Sequence, residues 1–181
     1  MCVGVAVQPP LLTGKVVQTP VITPDLMAHV RNQFRLDWQG IHGAPHWSRV
    51  QHHGVALAIA ANVDVRIPVL FSVLHDSQRE NDGRDPGHGE RAADYAHSLH
   101  RLGYFELPPI SLHHLLEACR GHSRGNTDAP IEVQVCWDAD RLDLGRVGSR
   151  PDPARLCTLH AKREDVIERA WRWSQGGPRP S

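Results

Sequence analysis

In "HWSRVQHHGVALAIAANV" the apolar positions Val50, Val55, Leu57, Ala58 and Ile59 recur at helical rather than alternating spacing, which predicts a buried helix. The segment before it, "TPDLMAHVRNQFRLDW", carries a helix start. Thr23 can cap, Pro24 suits the first turn and Asp25 complements the helix dipole. "GIHGAPHW" breaks the two apart. "DVRIPVLFSVLHD" reads as a third helix, with Asp64 at its head. After the glycine-rich loop "NDGRDPGHG" come "ERAADYAHSLHRLG", with Ala92, Tyr95, Ala96 and Leu99 on one face, and "PPISLHHLLEACRGH".

"IEVQVCWDADRLDLG" is ambiguous, because Ile131, Val133 and Val135 alternate as in a strand. Trp137, Leu142 and Leu144 continue the apolar pattern among helices, so it is assigned helical. "AKREDVIERAWRWSQ" is an amphipathic helix. The pattern predicts an all-α domain over residues 24–175. An extended arm at residues 1–23 precedes it and a disordered tail at residues 176–181 follows.

Composition narrows the function. A formal net charge of +0 argues against a dedicated nucleic-acid binder or membrane-surface binder. No stretch reaches the roughly 18 apolar residues of a membrane span. The start "MCVGVAVQPP" lacks a basic segment followed by a long apolar one, and the four cysteines form no C-x-x-C pair. A cytoplasmic protein with reduced thiols is expected. Thirteen histidines stand out, since imidazole is the commonest metal ligand.

Position singles some of them out. The apolar run "VLFSVL" ends abruptly in His75-Asp76, and His46, His122 and Asp138 also fall where predicted helices meet polar breaks. Mixed imidazole and carboxylate sets suit a divalent transition ion, and two of each would neutralise its charge.

Five segments in order, "HWSRV", "LFSVLHDSQREND", "GHGERAADYA", "LLEACRGHS" and "CWDADRLDLGRVG", resemble the HD-domain superfamily of metal-dependent phosphohydrolases across about residues 25–150. They are most similar to its small single-domain branch, which includes nucleotide pyrophosphatases. The resemblance implies a helical bundle with a metal site between helices. It implies His46, His75, Asp76 and Asp138 as ligands of a divalent transition metal (Mn, Co, Ni, Fe or Zn), one ion rather than two. The implied activity is attack of metal-activated water on a phosphoester or phosphoanhydride of a small phosphorylated substrate, a nucleotide foremost.

Around that set, Glu80 lies one turn beyond Asp76 and is a candidate to orient water or protonate the leaving group; Asp85 is a second. Arg49 and Arg79 are candidate phosphate contacts, and Arg49 could equally pair with a ligand carboxylate to support it. His88 and His122 stand in chain order for a second ion, as in dinuclear relatives, and otherwise for substrate binding. Arg141 is expected to pair with Asp138, while Asp140 and Asp143 read as caps or partners. Two alternatives stay open: a dinuclear iron oxygenase, which needs His88 and His122 as ligands, and a non-catalytic nucleotide-binding sensor. A homodimer is likewise left open.

Overall fold

Thr23 begins the first helix as its residue type dictates: its hydroxyl accepts the Leu26 amide at 3.1 Å, and Pro24 and Asp25 occupy the first turn. The computed structural model describes residues 21–179, so most of the expected arm and the last two residues of the tail lie outside the described residues. The helices are α1 (Pro24–Gln33), α2 (Ala44–Ala61), α3 (Arg66–Leu74), α4 (His88–Arg101), α5 (Pro109–Gly121), α6 (Ile131–Leu142) and α7 (Glu164–Ser174). Short 3-10 turns at Leu144–Val147 and Pro153–Arg155 join α6 to α7, and no strand occurs among the described residues. The fold is all-α, as expected.

The ambiguous stretch is α6. Val133, Val135, Cys136, Trp137, Ala139 and Leu142 are all buried, so its apolar residues surround the axis instead of forming one stripe. A helix enclosed over most of its length loses its 3.6-residue signature, so the alternation of Ile131, Val133 and Val135 in its first turns imitates a strand. Asp64 accepts the Arg66 amide at 2.9 Å and so serves the start of α3 from one position outside its cap.

α2 packs on α3 and α6, α3 also meets α5 and α6, and α4 lies along α5. Leu70, Phe71 and Leu74 of α3 are fully buried in the same core cluster as Val50, Leu57, Leu115, Val135 and Leu142. Gly89 lets α4 approach α5: a Cβ there would stand 2.7 Å from the Cys119 carbonyl oxygen. Cys119 and Cys136 are buried free thiols and Cys157 is a half-buried one. Among the described residues no helix is long and apolar enough to cross a membrane.

This packing brings five helix ends together. His46 lies in the first turn of α2 and His88 opens α4, while His75 and His122 are the C-terminal caps of α3 and α5. Asp140 sits in the last turn of α6. All five side chains are buried.

Candidate metal centre

His46, His75 and Asp140 form one group whose potential ligand atoms all lie within 4.8 Å of one another. The tautomers follow from the hydrogen bonds. His46 Nδ1 donates to Asp143 Oδ2 at 2.7 Å, and His75 Nδ1 donates to the Phe71 carbonyl at 3.1 Å. Each neutral ring therefore presents a bare Nε2, and the two Nε2 atoms face each other at 3.0 Å. Burial, reinforced by Arg146, holds His46 well below the ordinary histidine range, and burial pushes His75 down to about 4. With no proton between them, the two lone pairs repel unless a cation shares them. Asp140 Oδ1 stands 3.4 Å from His46 Nε2 and 3.8 Å from His75 Nε2, yet is buried without a hydrogen-bond donor.

Asp76, His88 and His122 form a second such group. His122 Nδ1 donates to the Cys119 carbonyl at 2.8 Å, His88 Nδ1 bonds the Asp85 carbonyl, and the two Nε2 atoms lie 2.7 Å apart. Burial lowers His88. Burial also opposes the proton on His122, but Asp76 and Asp140 outweigh it and raise that group.

Asp76 ties the groups together. Its Oδ2 stands 3.7 Å from both His46 Nε2 and His75 Nε2, and its Oδ1 stands 3.4 Å from His88 Nε2 and 3.6 Å from His122 Nε2. One oxygen faces each group, the arrangement of a bridging carboxylate. Burial works against its charge, yet His75, His122 and His42 hold the carboxyl well below the usual range. Oδ1 is buried with no hydrogen bond. Two such buried carboxylate oxygens and two inward-facing Nε2 pairs fit divalent cations, whose charge would satisfy them all. The sequence pointed to one ion; the structure provides two buried groups, each able to hold one.

Asp138, expected as a ligand, is not among the converging side chains. It faces away from the centre, accepting the Cys157 amide at 2.7 Å and both the amide and the hydroxyl of Thr158 at 2.8 Å. Residues two apart on a helix point some 200° apart, so Asp138 and Asp140 cannot share a site. Asp140 occupies the place assigned to Asp138, and Asp143, one turn on, supports His46. Arg141 does not pair with Asp138: it donates to the Arg155 carbonyl at 2.8 Å and the Asn126 carbonyl at 2.6 Å.

Arg49, expected either at the substrate or paired with a carboxylate, pairs with one behind the centre, its Nε 2.5 Å from Asp143 Oδ1. Two supporting groups escaped the sequence reading. His42 donates to Asp76 Oδ2 at 2.8 Å, and Arg146 lies 3.7 Å from Asp140 Oδ1, helping to keep Asp140 ionised against its burial.

A cavity of about 580 Å³ opens over the centre, with Asp76, His88, His122 and Asp140 in its lining. Arg79, expected at the substrate, lines it with His88 and His122 and stands 3.5 Å from Asp76 Oδ1. Glu80 does not reach the cavity: it is half exposed and pairs with Arg35 at 3.3 Å. Asp85 is buried but turned to Arg91 at 2.6 Å and the Glu80 amide at 2.9 Å.

No family model matches the chain, and no curated protein matches it. Among solved structures it is similar to a predicted HD superfamily hydrolase from an uncultured Thermotogales bacterium. The two share 25% identity and a TM-score of 0.63, over 84% of this chain and 86% of that one. The helical architecture and this match show that the chain has the HD-domain fold.

Proposed function

We propose that this HD-fold protein is a metal-dependent phosphohydrolase acting on a small phosphorylated molecule, with nucleotides the leading class. The observation that carries the reading is Asp76, which offers one oxygen to each buried histidine pair on the floor of an arginine-lined cavity. His46, His75 and Asp140 would hold one divalent ion and His88 and His122 a second, with Asp76 between. When bound, such ions polarise phosphoryl oxygens and acidify a water.

The chain's own residues do the rest. Arg79, at the cavity floor, offers a guanidinium to phosphoryl oxygens; carbonyls of Gly83 and Asn81 fix its other nitrogens at 2.7 and 3.3 Å. Asp143 locks the His46 tautomer, and Arg49 holds Asp143 in turn. Asp85 fastens the loop that delivers His88 through its bonds to Glu80 and Arg91.

The test is phosphate release from a panel of phosphorylated metabolites with Mn²⁺, Co²⁺, Ni²⁺, Mg²⁺ or Fe²⁺. Wild type releases phosphate only with metal, and His75→Ala and Asp76→Ala lose both metal and activity. Full activity after chelation would overturn the reading. The pairing of His88 with His122 also suits a dinuclear iron oxygenase; oxygen-dependent turnover without phosphate release would favour that reading.

A further inference from the structure

Resting on the phosphohydrolase reading, we infer that the substrate carries a second phosphate on its leaving group, received by Arg155 in the wall of the cavity that follows α6. The wall is the segment that runs from the end of α6 through both 3-10 turns, and it contributes Arg146, Ser149, Arg150, Asp152 and Arg155 to the lining. It is built to hold its shape. Asp138 clamps the amides of Cys157 and Thr158, and Arg141 holds the Arg155 carbonyl.

The guanidinium of Arg155 is different from its neighbours. Arg146 is engaged with Ile41, Asp143 and Asp140, and Arg150 with Glu164 and Glu168. Arg79 is held by Asn81 and Gly83, and Arg141 by Asn126 and Arg155. Among the described residues, Arg155 is the arginine of the lining whose side chain has no hydrogen-bond or ion-pair partner, although its main chain is anchored.

Charge points the same way. Five arginines line the cavity against three aspartates, and two of those, Asp76 and Asp140, belong to the metal groups. Any divalent ion held there adds further positive charge. Arg146 and Arg150 are already paired with Asp140, Glu164 and Glu168, so among the described residues Arg155 is the lining arginine left for an added anion, and a volume of about 580 Å³ accommodates a nucleotide-sized molecule. A phosphoester with a second, separated phosphate satisfies both ends: the reacting phosphate lies over the histidine groups and the other meets Arg155.

The probes are AMP and an adenosine bisphosphate with its phosphates on different ribose hydroxyls. Each is measured with the Mn²⁺-loaded protein, as Kd by calorimetry and, where phosphate is released, also as KM. Wild type should bind the bisphosphate about tenfold or more tighter than AMP, the worth of one charge-assisted contact. Arg155→Ala should bring that ratio close to one. Arg101→Ala, which removes a charge from the exposed end of α4, should preserve it. A wild-type ratio near one, or a ratio untouched by Arg155→Ala, overturns the inference. Because binding is read whether or not phosphate is released, failure to hydrolyse either probe counts against the proposed function alone.

Discussion

The Nε2 atoms of His46 and His75 face each other at 3.0 Å, each ring having already committed its Nδ1 proton, one to Asp143 and the other to the Phe71 carbonyl. Two lone pairs at that distance are placed to share a cation, since neither ring has a proton left for a hydrogen bond between them. The variants that follow probe what holds the pair in place and what it holds.

Asp140 and Asp138 should separate cleanly. Asp140→Asn should weaken uptake of the ion that it would share with His46 and His75 and lower activity at least about a hundredfold, since it changes a proposed ligand. Asp138→Asn leaves metal content unchanged but costs about 1–3 kcal/mol of stability, because an amide cannot accept all three donors of Cys157 and Thr158. Elemental analysis and urea unfolding of the two variants read this difference. Loss of metal from Asp138→Asn with full metal in Asp140→Asn would reverse the assignment.

Asp143→Asn should weaken metal affinity about 10–100-fold while the fold survives, because the buried carboxylate fixes the His46 ring without touching the ion. Competition with a chromophoric chelator measures it. Arg49→Ala should act in the same direction and add little to the Asp143 variant, since the two residues support His46 in series.

Gly89→Ala places a methyl 2.7 Å from the Cys119 carbonyl and 3.1 Å from that of Arg120, main-chain atoms that cannot swing aside. Prising α4 from α5 should cost about 1–3 kcal/mol and part His88 from His122. The expected signature is a lower melting temperature together with loss of one bound ion before the other.

Metal-free protein should weaken in mild acid. Burial pushes His53 and His75 down to about 4 and also lowers His46 and His88. The unfolded chain therefore binds more protons than the fold between about pH 6.5 and about pH 4, so stability is full above that window and falls as pH drops through it. His122, raised by its aspartate neighbours, and Asp138 and Asp143, raised by burial, oppose the trend. His53 lies off the metal groups and alone accounts for up to roughly 3 kcal/mol. Urea unfolding in chelator at about pH 7.5 and about pH 5 should show His53→Leu losing less stability than wild type. An equal loss in both would remove His53 from the account.

Local chemistry was legible in the sequence. Thr23, Pro24 and Asp25 start α1 where their residue types place them, and the run ending in His75-Asp76 stops at the centre because α3 ends there. His46, His75 and Asp76 converge for the same reason. What the sequence left open was orientation about an axis. Asp138 and Asp140 are equivalent in a string and opposed on a helix, and only the three-residue spacing from Asp140 to Asp143 hinted which face turned inward. His42 and Arg146 come from a turn and a 3-10 segment with no periodic pattern, so nothing local signalled them. The arginine wall needed the fold, since Arg79 follows α3 while Arg141, Arg146, Arg150 and Arg155 lie in and after α6, and they come together only around the cavity.

The central claim is tested most directly by titrating Mn²⁺ into metal-free protein while counting bound ions and following phosphate release from a nucleotide substrate. The account predicts two ions per chain, with release that follows their uptake and is absent in His75→Ala and Asp76→Ala. Phosphate release at full rate in metal-free protein, or in the Asp76→Ala variant, would contradict it.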